Sequence, residues 1–213
     1  MGLLSPVLVS DTAAQDPSTR TRSLHRSRIS IWGAHSVSGG SILGKIPDIR
    51  LRMLGLRYHY LLIPANRAAL DSHDAPTLTY TADFLPAVGL HIPRDAALGA
   101  VFPNGPQSRT ALTTSGVGLY PMGLRVHFST TARVHPFVDG HTGFLYFFDP
   151  VPDARGRAFN FAAALGGGVS VTLSGRWYLA LGYRYHHLSN GFRGSINPGL
   201  DANLLYLGLG AGL

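Results

Sequence analysis

The sequence predicts an all-β fold: an eight-stranded, antiparallel, up-and-down barrel with its outer face in lipid. Three observations carry this. From residue 28 onward, turn-rich stretches cut the chain into eight segments of strand length. In the later segments bulky apolar residues alternate with small or polar ones, the period of a strand. Only 14% of the 213 residues are charged, beside 26 Gly, 9 Tyr and 10 Phe, which is too apolar and aromatic for a disordered chain.

The segments fall near residues 28–37, 49–63, 77–91, 115–128, 133–148, 158–173, 176–189 and 202–213. Clusters of Pro, Gly, Asn and Asp separate several of them, as in "IPANRAALDSHDAP", "FPNGPQSRT", "DPVPDARGR" and "INPGLD". Residues 92–114 form the longest expected loop. Gly166, Gly167 and Gly168 lie inside the sixth segment and point to a bend or a close packing of backbones. An even number of segments suits closure into a single barrel. No run approaches the roughly 20 apolar residues of a spanning helix, which leaves strands as the way across a bilayer.

Alternation then decides which face meets lipid. In the seventh segment Trp177, Leu179, Leu181, Tyr183 and Tyr185 share one face, against Tyr178, Ala180, Gly182, Arg184 and His186. In the eighth, Leu205, Leu207, Leu209 and Leu213 oppose Leu204, Tyr206, Gly208, Gly210 and Gly212. The sixth repeats the pattern with Phe161, Leu165, Val169 and Val171 against Ala162, Ala164, Gly166 and Gly168. A small second face fits the cramped interior of eight strands, so the bulky face belongs outside, as in an outer-membrane β-barrel. A soluble lipocalin-like carrier barrel needs a charged exterior that these strands lack.

Residues 1–27 read as a tail outside the fold, and residues 28–213 as one barrel domain. "GLLSPVLVS" followed by "DTAAQ" suits the end of a signal peptide, although the basic n-region is missing; an ordinary polar tail is the alternative. With no cysteine, disulfides and thiolate metal sites are excluded. The formal net charge of +7 suits an anionic partner such as a phosphate-bearing lipid. The basic residues are dispersed, and neither a compact Lys/Arg block nor an RNA-binding signature points to nucleic acid.

The stretch "YRYHHLSNGFRGSINPGLD", residues 183–201, concentrates polar chemistry at one hairpin. Continuing the apolar face of the seventh segment past Tyr185 brings in His187 and Ser189. Extending the apolar face of the eighth backward from Leu205 brings in Asn203 and Asp201. Parity therefore puts His187, Ser189 and Asp201 on one outward face at the joined end of the hairpin. A serine hydroxyl needs a base to take its proton, and a carboxylate behind the imidazole orients that base. Asn190 offers side-chain N–H donors, and Gly191 an unhindered backbone N–H, to a developing oxyanion. Leu181, Tyr183 and Tyr185 lie below as a floor for an acyl chain. The plainer reading is that Ser-Asn-Gly is turn chemistry and that His beside Tyr belongs to an aromatic girdle.

The block "RYHHLSN…NPGLD", with "GRAFNFAAALGGGVSVTLSGRWYLALGY" and "PFVDGHTGFLYF" before it, resembles the PagL-type lipid A 3-O-deacylase family. Bacterial members are often labelled acyloxyacyl hydrolase. The resemblance covers about residues 115–213. It implies an eight-stranded outer-membrane barrel that hydrolyses an acyl ester of lipid A, part of lipopolysaccharide, with a Ser-His-Glu triad and no metal or other cofactor. Carried over, Ser189 is the nucleophile, His187 the base, Asp201 stands where the family enzyme has Glu, and Asn190 takes the oxyanion position. Two departures are visible: the shorter acid, and Ser-Asn-Gly in place of the more usual Ser-Asn-Ala. The rival expectation is a barrel of the same fold with a structural or lipid-binding role.

Other polar residues have milder readings. Asp139, His135 and His141 share a face, which allows a metal site, but the barrel interior accounts for them better. His186 has the opposite parity to His187 and reads as lumenal. Arg176 and Arg184 share that inner face and are expected to pair with acids such as Asp139. Arg193, just after the nucleophile, suits a lipid A phosphate.

Overall fold

The computed structural model describes residues 26–40, 42–46, 48–63, 76–93, 111–128 and 133–213. The signal-like segment and most of the longest expected loop, 94–110, lie outside the described residues. Eight strands run in order: β1 (Ser27–Gly40), β2 (Arg50–Ile63), β3 (Thr77–Ile92), β4 (Leu112–His127), β5 (Val134–Val151), β6 (Arg157–Ser174), β7 (Trp177–Ser189) and β8 (Leu200–Gly212). Each pairs with its sequence neighbours, and β1 closes on β8 from Arg28↔Gly212 to Gly40↔Asp201. Every expected segment carries a strand. The ends reach further where the ladder continues, as at Ile92↔Leu112 and Leu188↔Leu200.

The alternation places the side chains as the sequence indicates. Along β7 Trp177, Leu181 and Tyr183 are exposed, while Tyr178, Ala180, Gly182, Arg184 and His186 are buried. On β8 Leu205, Leu207 and Leu209 are exposed and Leu204 and Tyr206 buried. An apolar exterior of this kind has a favourable environment in hydrocarbon and none in water. Small inner residues make room for large ones: a Cβ at Gly182 would lie 2.5 Å from the Tyr206 ring.

A network of paired charges lies inside. Arg57 grips Asp83 through Nε at 2.5 Å and Nη2 at 2.8 Å. Arg125 and Arg184 both reach Asp139 Oδ2, at 2.6 and 3.2 Å. Tyr206 accepts from Arg125 at 3.0 Å, and Trp32 donates to Asp83 at 3.3 Å. Buried charges persist only when paired and hydrogen-bonded; here the pairing fills the lumen with side chains, where a carrier barrel would need an apolar chamber. His141 takes part, 3.3 Å from Asp139 and 3.1 Å from Arg184, and a guanidinium that close opposes a bound cation.

One expectation is corrected. Arg184 meets Asp139, but Arg176 does not join it. Arg176 sits in the tight turn between β6 and β7, exposed, with its guanidinium 6.0 Å from the Trp177 ring. The strand parity that would turn it inward ends where the turn begins. That turn and the meeting of Leu213 with Ser27 mark one rim of the barrel. The connection 190–199 lies at the other.

Candidate active site

The β7–β8 hairpin builds the site. His187 and Asp201 are directly opposite each other across the ladder, the closest approach two strands allow. From there the short aspartate reaches: His187 Nδ1 to Asp201 Oδ1 is 2.6 Å. The acid is fully buried and the imidazole keeps 20% exposure toward the outside. Asp201 faces outward by parity, yet it is covered. The cover is the connection after β1: the N–H groups of Leu43 and Gly44 donate to Asp201 Oδ2 at 2.9 and 2.8 Å.

Ser189 ends β7 on the same face, two residues beyond His187. Its Oγ is 3.2 Å from Asn197 Oδ1, to which it donates, and accepts from Asn197 Nδ2 at 2.9 Å. The N–H of Gly191 also donates to Ser189 Oγ, at 3.1 Å. Gly191 has φ +65°, a left-handed conformation that glycine enters without a Cβ clash. No hydrogen bond joins Ser189 to His187 among the described residues. The hairpin thus brings His187 and Asp201 into contact and leaves Ser189 close by, turned to Asn197.

Asn190 sits differently from the expectation. It follows the inward parity and is buried. Its Nδ2 donates to Ile196 O at 2.7 Å and its backbone N–H to Asn197 Oδ1 at 3.0 Å. With Nδ2 spent on the loop, its side chain shapes the turn and does not face an acyl carbonyl. Asn197, not Asn190, is the amide whose side chain meets Ser189. The signal was present in the Asn-Pro-Gly element, which opens on Asn197, but only the fold of 190–199 brings it back to Ser189.

Around these groups, Leu181 and Tyr183 are exposed on the outer face, and Tyr183 donates to Asn203 Oδ1 at 2.5 Å. Tyr185 is half-buried. Its hydroxyl accepts from Leu43 N–H at 3.2 Å, the same N–H that donates to Asp201 Oδ2. Phe161, opposite Ser189 on β6, starts an aromatic row with Phe159 and Phe144, with ring centroids 5.3 Å apart at each step. The Arg193 guanidinium lies 5.1 Å from the Phe159 ring centroid. A small pocket of about 10 Å³, the scale of a single water, is lined by residues including Ser189, Asn190, Asn197 and Asn160.

Comparison with known proteins gives this geometry a context. Residues 86–210 match the family model described as lipid A 3-O-deacylase (PagL). The chain belongs to that family. The match runs from within β3 to Gly210 in β8 and so contains His187, Ser189, Asn197 and Asp201. Among solved structures, the crystal structure of the outer membrane enzyme PagL is similar at 15% identity and TM-score 0.55. That likeness covers 84% of this chain and 97% of the other, and it shows the shared fold. The crystal structure of Neisserial surface protein A is similar at 12% identity and TM-score 0.47, covering 88% of this chain and 97% of that one. No curated protein sequence matches. The fold is therefore the closed outer-membrane barrel of a family of lipid A deacylases, which are ester hydrolases.

Proposed function

We propose that this chain is a serine esterase of the bacterial outer membrane that removes the 3-O-linked acyl chain of lipid A. The observation that carries the reading is the His187–Asp201 contact at 2.6 Å, on the lipid-facing side and beside a serine hydroxyl that already receives two N–H donors. A rotation of Ser189 about Cα–Cβ takes Oγ from Asn197 to the imidazole. Hydrogen bonds of this kind commonly tighten only when substrate binds.

In the reaction, His187 Nε2 takes the hydroxyl proton as Ser189 Oγ attacks the acyl carbonyl carbon. Asp201 holds the Nδ1–H and balances the imidazolium. The negative charge developing on the carbonyl oxygen is met by Gly191 N–H and Asn197 Nδ2. Collapse expels the sugar alkoxide, which receives the proton from His187. A water deprotonated by His187 then attacks the acyl-enzyme, and the fatty acid leaves as Ser189 recovers its proton. The acyl chain lies against Leu181, Tyr183 and Phe161, and Arg193 meets a phosphate of the sugar.

The Ser189–Asn197 contact favours a second reading, a lipid-binding barrel without catalysis. Mass spectrometry of lipid A separates the two, using Gram-negative cells that export this chain or its Ser189→Ala variant. Loss of one acyl mass with the parent alone supports the esterase. Unchanged lipid A beside a correctly inserted, heat-modifiable barrel rejects it.

A further inference from the structure

The acid of the site is gripped by a part of the chain far from it in sequence. Asp201 Oδ1 meets His187, while Oδ2 takes both N–H groups of residues 43 and 44. The segment 42–46 that supplies them is itself tied down. Lys45 N–H donates to Pro198 O at 2.9 Å, and Ile46 forms a parallel bridge to Leu200, both residues buried. Tyr185 adds its hydroxyl, which accepts from the same Leu43 N–H that donates to Asp201 Oδ2.

There is little spare room in this arrangement. A Cβ at Gly44 would lie 2.9 Å from Asp201 Oδ1, and one at Gly40 would lie 2.9 Å from Asp201 Cβ and 3.3 Å from the Tyr185 ring. Asp201 itself is 0% exposed. Each carboxylate oxygen therefore has a fixed place and a fixed set of donors.

We propose that residues 42–46 and the Tyr185 hydroxyl form a positioning shell for the acid, built to the length of aspartate. The inference rests on the esterase reading and adds to it why Asp can serve where the related enzymes are implied to carry Glu. An unsupported carboxylate samples several rotamers, and only some present an oxygen to Nδ1. Two backbone N–H groups on Oδ2 select one of them before substrate arrives, so no ordering cost falls on the reaction. The added methylene of glutamate has no space here. It must push the carboxylate into His187 or force the segment 42–46 away, as overpacking does in any close-packed site. Restoring the family's acid should therefore damage this enzyme. Tyr185 is a positioning residue on this account, because its hydroxyl acts through Asp201.

The test uses the full chain folded in detergent micelles: parent, Tyr185→Phe, Asp201→Glu and Ser189→Ala. Two readouts are taken, kcat and KM on purified lipid A, and the proton NMR resonance of His187 Nδ1–H, which a short bond to a carboxylate moves far downfield. Tyr185→Phe is expected to lower kcat up to about tenfold, the upper scale of one hydrogen bond, with KM unchanged. Asp201→Glu is expected to lose at least as much. In both, the Nδ1–H resonance moves upfield or is lost to exchange, while Ser189→Ala keeps it.

The proposal is overturned if Asp201→Glu matches or exceeds the parent. It is overturned equally if Tyr185→Phe raises KM alone, which would make Tyr185 an acyl-chain contact. If the parent hydrolyses no lipid A, the esterase reading fails by itself. The NMR readout still decides the shell, and an Nδ1–H resonance unmoved in both variants rejects it.

Discussion

His186 and His187 are neighbours in the chain and live in different chemical worlds. His186 points into the lumen, is 1% exposed, and has its Nε2 against the Tyr120 hydroxyl. His187 points outward, paired with Asp201, and keeps part of its ring accessible. The same contrast separates the two acids. Asp139 is surrounded by Arg125, Arg184 and His141, a closed network with cations enough to neutralise it. Asp201 has one imidazole and backbone N–H groups, so its charge is left to act on His187. The charged residues inside this barrel pair with one another, whereas His187 at the rim keeps part of its ring exposed.

Substitutions on the two sides sharpen that division. The largest expected effect is at the rim: Ser189→Ala or His187→Ala should lower lipid A deacylation by at least about 10³-fold, and Ser189→Ala should do so with the barrel's unfolding little changed. His186→Ala is the matching lumenal change. It should leave kcat within about threefold and cost stability instead, by roughly 1–3 kcal/mol for the buried Tyr120 hydroxyl left without a partner. Activity lost in His186→Ala with stability intact would break the comparison.

The next effect lies inside. Asp139→Ala leaves Arg125 and Arg184 buried without their shared carboxylate, at a cost of about 3–5 kcal/mol. Urea unfolding in detergent, followed by the loss of heat-modifiable mobility on gels, reads that loss. The residual folded fraction should retain normal kcat.

Asn197→Ala comes third. Removing one oxyanion donor is expected to reduce kcat about 10²-fold with little change in KM. Asn190→Ala is expected to raise KM and lower stability, since its amide holds Ile196 and the loop. If the two variants exchange these signatures, the oxyanion role returns to Asn190.

The smallest effect belongs to Gly199. Its φ is +68°, and a Cβ there would lie 3.0 Å from His187 Cε1. Gly199→Ala imposes about 1–2 kcal/mol of left-handed strain and crowds the ring, so kcat should fall severalfold. Steady-state rates beside the unfolding midpoint separate the two contributions.

The sequence by itself determined the barrel, the faces that its last three strands turn to lipid, and the shared outward face of His187 and Asp201. All three follow from a period of two, which depends only on backbone geometry and survives any choice of loop structure. It also separated His186 from His187, because neighbouring residues on a strand cannot share a face. Parity stops being informative where strands stop. Arg176 in a turn and Asn197 within the loop lie beyond it, and Asn197 is aimed at Ser189 by its own hydrogen bonds. Residues 42–46 were harder still. Gly44 and Asp201 meet only because β1 closes on β8 and the connection after β1 folds over the hairpin. A contact between backbone N–H groups and a carboxylate has no residue-type signature, since every residue but proline offers the same donor. Closure of the barrel, a property of the whole chain, decided what holds the acid.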